Sequence, residues 1–345
     1  MIAAVDPSRA EEVGPVLLEY VRRRLDAPSL AYAEAPQPLG RSTSSFIYAF
    51  RLADAPAGWT APLVARIVLG EHAGPTLQRE AAIQRFVAGH GYRTLDILAS
   101  EATRDTELGL PFTVAERIMG GTLLDAVKRA PLAMPRLLAE MADAHLALHR
   151  IPVDGCPLPY DAPLVERRLE DWHRRLHFEG AEELRRGLAW LQDNAASVRQ
   201  EEPAICHNDF HPLNILRDGG GQLVVIDWSE AALGDRNCDV ARTAALFWFA
   251  PLGASSAAER VLLWSLRGFL RGRYLAAYRL RQPVDGERLR YWEAAHAFNG
   301  WLQMVELGRR GAAAPELQLE MVRQELTPRV REGLRRYFWH CTLAG

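Results

Sequence analysis

An aspartate followed five residues later by an asparagine, then a glycine turn and an apolar run into a second aspartate, is a spacing suited to phosphoryl transfer. The stretch is Ile205-Cys-His-Asn-Asp-Phe-His-Pro-Leu-Asn-Ile-Leu216, followed by Gly219-Gly-Gly-Gln-Leu-Val-Val-Ile-Asp-Trp228. Moving a phosphoryl group from a nucleotide to an alcohol needs little covalent help. It needs a group that orients the hydroxyl and accepts its proton, and oxygen ligands for Mg²⁺. Asp209 fits the first role. Mg²⁺ takes hard oxygen donors and keeps several waters, so one amide and one carboxylate suffice beside the phosphates. Asn214 and Asp227 supply that set. Residues 223–226 are apolar and mostly β-branched, reading as a buried strand that delivers Asp227 at its end after the tight turn at 219–221.

These residues resemble the H-x-D-x-x-x-x-N motif and the following I-D-W/F of the aminoglycoside phosphotransferase family. That family, with its choline kinase-like relatives, is a small-molecule branch of the protein-kinase-like fold. The resemblance implies that His207 buttresses the loop, that Asp209 is catalytic, and that Asn214 and Asp227 hold the metal. Protein kinases carry H-R-D and D-F-G instead. Here Asn208 replaces the arginine and Trp228-Ser229 replaces Phe-Gly, which points away from them. A further segment, Gly234-Asp-Arg-Asn-Cys-Asp-Val-Ala-Arg242, resembles the family's G-D-P-x-x-D-x-A-R, with Arg236 in place of proline. Asp239 would there brace the catalytic loop.

The elements that must position these groups are legible upstream. Residues 8–26 have helical apolar spacing, and Pro28 with Pro36-Gln-Pro38 reads as its end. A glycine and four hydroxyl residues, Gly40-Arg-Ser-Thr-Ser-Ser45, then precede an alternating aromatic strand. Ser42 and Ser44 there resemble a nucleotide-covering loop. Residues 62–69 read as a buried strand with one charge, Arg66, which needs a partner because an unpaired buried charge is costly. Glu80, in the helix expected over 76–89, is the candidate. By resemblance, Arg66 would reach the nucleotide phosphates with Glu80 behind it. Strands are expected at 94–100 and 111–117. The second belongs to the segment Phe112-Thr-Val-Ala-Glu-Arg-Ile-Met-Gly-Gly-Thr-Leu123, which resembles the hinge between two lobes. There the backbone of Ala115 to Arg117 would bond the purine edge and Gly120-Gly121 would let the chain turn. Backbone recognition leaves no side-chain trace, so ATP and GTP are not separated.

From residue 132 onward the pattern is helical: 132–149, 164–177, 181–199, and after Asp239 the runs 240–249, 257–281, 286–308 and 315–339. The fold class implied is α+β, a two-lobed protein-kinase-like fold. Residues 1–115 would form a nucleotide-binding lobe on an antiparallel sheet, and residues 116–345 a larger, mainly helical lobe with the catalytic loop and acceptor-binding helices.

Composition narrows the partners. The chain has 345 residues, is 48% hydrophobic and carries a net charge of −2, so it fills large cores and has no general attraction for nucleic acid or anionic membrane. Cys156, Cys206, Cys238 and Cys341 form no C-x-x-C pair, and no run of about 18 apolar residues appears, which suits a cytoplasmic protein. A monomer or weak homodimer that takes a nucleotide and a small-molecule hydroxyl acceptor is expected. An aminoglycoside-like acceptor is a polycation and would gather carboxylates, of which Glu230, Asp235, Glu293 and Glu306 are available by position. The same fold serves choline, homoserine and sugar kinases and nucleotide-binding pseudokinases, so the acceptor stays open.

Overall fold

The structure, a computed structural model, describes residues 5–41, 45–70, 73–160, 162–199, 202–249, 256–310 and 328–343. The chain divides into two compact units, Met1–Gly121 with Leu216–Ser229, and Thr122–Ile215 with Glu230–Gly345.

In the first unit, helix α1 (Ala10–Leu25) buries Val13, Leu17, Tyr20 and Val21 at steps of three and four. These side chains join a cluster with one face of a five-stranded antiparallel sheet. Its strands are β1 (Ala31–Arg41), β2 (Ser45–Ala53), β3 (Leu63–Val68), β4 (Ile97–Glu101) and β5 (Phe112–Glu116), in the order β1-β2-β3-β5-β4. Alternate residues supply the sheet's share of that core: Tyr48, Phe50 and Leu52 from β2, Leu63, Ala65 and Ile67 from β3, Phe112 and Val114 from β5. The two-residue period places Arg66 on the other face. Helix α2 (Ala73–Gly89) carries Glu80, which is buried.

Strand β1 departs from the sequence expectation, since it contains Pro36 and Pro38. Proline cannot donate to a ladder and survives only at an edge or a bulge. β1 is one of the two edge strands, and its pairing with β2 shifts register between Glu34 and Gln37 and again between Pro38 and Gly40.

The second unit is mainly helical. It contains α3 (Leu123–Arg129), α4 (Met134–His149), α5 (Leu164–Arg175), α6 (Glu182–Asp193), α7 (Ala196–Arg199), α8 (Arg236–Phe249), α9 (Ala257–Arg279), α10 (Gly286–Arg310) and α11 (Pro328–Leu343). Trp172, Trp292, Phe298 and Phe338 are fully buried, so the aromatic runs of α10 and α11 are core. Two short strands, β7 (Pro203–Cys206) and β10 (Ala232–Asp235), pair antiparallel at either side of residues 207–231. β6 (Gly121–Thr122), β8 (Ile215–Arg217) and β9 (Leu223–Val225), whose residues belong mostly to the first unit, form a further small sheet in the order β6-β8-β9. Among the described residues no helix is long and apolar enough to cross a membrane.

Candidate active site

In the first unit three predicted residues come together. Arg66 Nη1 donates to Glu80 Oε1 at 2.7 Å, and Arg66 Nη2 lies 3.8 Å from Asp227 Oδ1. The Trp228 N–H donates to the same Glu80 oxygen at 3.2 Å. Burial works against the Arg66 charge, but the carboxylates of Glu80 and Asp227 outweigh it and raise its pKa. Glu80 is raised as well, by burial and by Asp227, against the pull of Arg66. The guanidinium has two carboxylate partners, whereas Glu80 has one partner and one rival.

Asp227 sits at the end of a fastened hairpin. Asp218 Oδ1 accepts the N–H groups of Gly220 and Gln222, which closes the turn between β8 and β9. Val225 N–H donates to Arg93 O at 3.0 Å, and Thr94 Oγ1 donates to Val225 O at 2.8 Å. Two residues past β9 the backbone of Asp227 is left-handed, φ 62°, a conformation that Asp and Asn adopt more readily than other side chains. Ser229 Oγ donates to Asp227 Oδ1 at 2.9 Å. The other carboxylate oxygen is a hard donor of the kind Mg²⁺ takes.

In the second unit the loop after β7 gathers His207, Asp209 and Asn214. Asp239 pins its start, accepting the His207 N–H at 2.5 Å and the Asn208 N–H at 2.9 Å. Asn208 is left-handed at φ 60°, and its Nδ2 donates to Glu230 O at 3.0 Å. His207 is fully buried and its Nδ1 accepts the Asp209 N–H at 3.3 Å. Asn214 Nδ2 donates to Asp209 Oδ2 at 2.9 Å and to Asp209 O at 3.1 Å. With its Nδ2 so used, the amide oxygen of Asn214 is its acceptor atom, which fits the metal role chemically.

Two neighbours of Asp209 were not singled out from the sequence. His211 Nδ1 accepts the Leu213 N–H at 3.2 Å, so its proton is on Nε2, which lies 3.2 Å from Asp209 Oδ2 and donates to it. Arg242 Nη2 lies 3.7 Å from Asp209 Oδ1, and its Nε donates to Asn208 O at 3.3 Å. Burial works against the Asp209 charge, yet the His211 hydrogen bond, with Arg242 and His207 nearby, holds its pKa below the ordinary value. His211 stands inside the motif stretch and Arg242 closes the segment that follows it, so both were in view without an assigned contact.

The hinge residues are placed less simply. Ala115 lies in β5, paired with Val64 of β3 on one side and Ile97 of β4 on the other. The Arg117 N–H is already donated to Pro62 O at 2.8 Å, so in this structure that amide is committed within the unit. Gly120 answers a close approach: a Cβ there would sit 1.9 Å from Arg217 O. Ser42 and Ser44 lie outside the described residues.

Three of the four carboxylates considered for a polycation are engaged. Asp235 binds Arg288 Nη2 and Trp292 Nε1, each at 2.9 Å, Glu293 binds Arg271, and Glu306 holds Arg175 through two bonds of 3.0 and 2.7 Å. Glu230 is exposed. A cavity of about 540 Å³ among α8, α9, α10 and α11 is lined by Arg271, Arg290 and Arg336 against Glu293, with Trp248 and Tyr337. Such a lining does not favour a polycation.

The sequence pattern of the Phosphotransferase enzyme family (APH) matches residues 47–279. The chain belongs to this family. An aminoglycoside 3'-phosphotransferase of Streptomyces fradiae is 31% identical over 136 residues, 35% of this chain and 50% of that protein. The chain thus matches about half the length of this curated relative. A thermostable mutant of aminoglycoside phosphotransferase APH(4)-Ia, solved in ternary complex with ADP and hygromycin B, superposes with TM-score 0.62 at 16% identity, covering 93% of this chain and 98% of that one. A choline/ethanolamine kinase family protein from Mesorhizobium loti gives TM-score 0.56 at 17% identity, covering 93% and 99%. At these identities the likeness is one of fold: α+β, kinase-like, an antiparallel sheet with a mainly helical part.

Proposed function

We propose that the protein transfers the γ-phosphoryl group of ATP or GTP to a hydroxyl of a small molecule. The observation that carries this reading is the Asp209–Asn214 pair, held by a 2.9 Å hydrogen bond in a loop that Asp239 pins by its backbone. Family membership supports phosphoryl transfer, and the ADP-bound relative supports a nucleotide donor.

In this reading Asp209, ionised, accepts the acceptor's O–H and aims the oxygen lone pair at phosphorus. Its lowered pKa makes it a weak base. It therefore orients the hydroxyl first and takes the proton as the new P–O bond forms, while the bond to the leaving phosphate breaks. His211 and Asn214 hold its Oδ2, which fixes the carboxylate plane. Arg66 steadies the donor phosphates, and Glu80 holds the guanidinium in place. His207 buttresses the loop from inside. Ser42, Ser44 and the backbone of Ala115 and Arg117 are proposed for the rest of the nucleotide, the last requiring its bond to Pro62 to yield. Asn214 and Asp227 would hold Mg²⁺, which when bound neutralises charge on the transferring group.

For the acceptor, the aminoglycoside names of the relatives make that class the first to test. A metabolite kinase is the second reading, favoured by the arginine partners of Asp235, Glu293 and Glu306, which leave few carboxylates for a polycation. The test is ADP or GDP release by purified protein with Mg²⁺ and a panel of aminoglycosides and metabolite alcohols, with Asp209→Ala as control. Acceptor-dependent release lost in the control is expected. Nucleotide binding with no release for any acceptor would favour a nucleotide-binding pseudokinase instead.

A further inference from the structure

Beside Asp209 the second unit keeps two arginines whose guanidinium forks are not closed. Arg242, on α8, donates its Nε to Asn208 O at 3.3 Å, and its Nη2 stands 3.7 Å from Asp209 Oδ1, too far for a hydrogen bond. Its side chain is 31% exposed, so a solute can reach it. Arg168, on α5, is half-buried, and its Nε is a buried nitrogen without a hydrogen-bond partner. Among the described residues no carboxylate pairs with Arg168. The two guanidinium groups act on each other. Burial presses the pKa of Arg242 down and Arg168 adds to it, against the pull of Asp209 and Glu230. Burial and the same two arginines press down the buried His296.

The fold holds these like charges where they are. Arg167 Nη2 donates to Leu233 O at 2.7 Å, and a Cβ on Gly234 would stand only 2.8 Å from Leu164 Cδ2, so α5 lies tight against β10. Trp172 Nε1 donates to Asn299 Oδ1 at 2.9 Å, which fastens α5 to α10. Arg168 is therefore not needed to hold its helix. A half-buried guanidinium without a partner costs free energy, and a second one nearby adds repulsion. An anion would relieve both costs, and the planar fork of arginine matches the two oxygens of a carboxylate or phosphate. Asp209 is not that anion, because its Oδ2 is taken by His211 and Asn214 and its Oδ1 stays out of bonding range of Arg242. Glu230 is exposed and forms no ion pair with either arginine among the described residues.

Resting on the phosphotransferase reading above, we infer that Arg168 and Arg242 form an anion subsite for the acceptor, so that the substrate is a small hydroxy compound carrying a carboxylate or phosphate group. The 3.7 Å between Arg242 and Asp209 sets the hydroxyl and the anionic group a few bonds apart in that molecule. In the step itself the acceptor oxygen bonds to the γ-phosphorus and the bond from that phosphorus to the bridging oxygen breaks. The electron pair of that bond leaves with the nucleoside diphosphate, and the hydroxyl proton goes to Asp209. A polycation would meet two further cations here, which selects against it.

Paired acceptors test the subsite: glycerate against glycerol, gluconate against glucose, then glycerol 3-phosphate, inorganic phosphate and kanamycin. Melting temperature is read first, at low ionic strength and without nucleotide. The acids and phosphate should raise it in wild type and not in Arg168→Gln, and the neutral partners should raise it in neither. Without ligand, Arg168→Gln should melt no lower than wild type, since it removes an unpaired charge. A clear drop would make Arg168 a structural residue and overturn the inference. With Mg²⁺ and nucleotide, kcat/KM should be about ten- to a hundredfold higher for an acid than for its neutral partner, the worth of a charge-assisted hydrogen bond. Arg168→Gln should lose that advantage through the acceptor KM and keep the nucleotide KM, and Arg168→Lys should recover part of it. A raised nucleotide KM in its place would move the pair to the donor phosphates and overturn the inference. Binding of the acids without turnover would uphold the subsite and count against phosphoryl transfer. Turnover of kanamycin, with no acid or phosphate raising the melting temperature, would overturn the subsite and leave phosphoryl transfer standing.

Discussion

Asn214 donates one amide group to two oxygens of Asp209, the carboxylate at 2.9 Å and the main-chain carbonyl at 3.1 Å. The five-residue spacing of the motif is therefore a closed ring of chain, with the asparagine fastening the aspartate's side chain and backbone together. Asp209→Ala is expected to lower turnover by about 10² to 10⁴, the usual range for acid–base help. Its side chain is partly exposed and outside the apolar core, so the melting temperature should move little. Asn214→Ala removes both bonds and the proposed metal oxygen, and should be at least as damaging. Steady-state nucleotide release with each variant checks this, and near-normal turnover in either would remove that residue from the mechanism.

Glu80→Gln separates the needs of the fold from those of the nucleotide. The folded pKa of Glu80 is raised, chiefly by burial, so its ionised form is disfavoured in the native state. A raised pKa contributes stability below the unfolded value of about 4.5, and that contribution is lost as pH rises through the folded value. Denaturant unfolding of the variant relative to wild type should therefore become more favourable to the variant's fold as pH is raised above about 4.5. The amide oxygen introduced by the substitution would still accept the Arg66 and Trp228 donors. Nucleotide binding should weaken about ten- to a hundredfold, the loss of a charge-assisted hydrogen bond that aims Arg66. A variant less stable at pH 7 than at pH 4.5, relative to wild type, would show that the ion pair dominates the burial cost.

Gly120→Ala tests a close approach. The Cβ would stand 1.9 Å from Arg217 O and 2.9 Å from its carbonyl carbon, both main-chain atoms that cannot swing aside. Overpacking of this kind costs about 1 to 3 kcal/mol, often more against backbone. The midpoint of urea unfolding should fall accordingly. Gly219→Ala is the control, since its nearest neighbour would be 3.9 Å away, and little change is expected there.

What the sequence made legible follows from how each feature is encoded. Arg66 stood as one charge in an apolar strand and had to be paired, and Glu80 lies at 2.7 Å. The candidate catalytic stretch was readable because its spacing is local, all within residues 205–228. Contacts made across the sequence were not. Arg242 reaches Asp209 from thirty-three positions away, with nothing in the intervening spacing to indicate it. The partners of Asp235, Glu293 and Glu306 are arginines on other elements, which turned candidate acceptor ligands into internal ion pairs. Pro36 and Pro38 misled for a different reason: proline forbids a central strand, and whether a strand is central is a property of the sheet.

Asp227→Asn isolates charge from shape at the end of β9. The left-handed backbone at φ 62° suits asparagine as well as aspartate, and the amide oxygen can still accept from Ser229 Oγ. Stability should therefore stay within about 0.5 kcal/mol of wild type. The lost charge has two consequences. Arg66 keeps only Glu80 as a carboxylate partner, and the proposed Mg²⁺ site loses its one anionic protein ligand. Hard divalent cations depend on such charge, so half-saturation by Mg²⁺ should move upward and turnover at ordinary Mg²⁺ should fall by about 10² or more. Raising Mg²⁺ should recover part of the loss, because the amide oxygen remains a donor. Asp227→Ala, lacking any oxygen, should show no recovery. Equal Mg²⁺ dependence in wild type and Asp227→Asn would place the metal elsewhere and leave Asp227 as a partner of Arg66 alone.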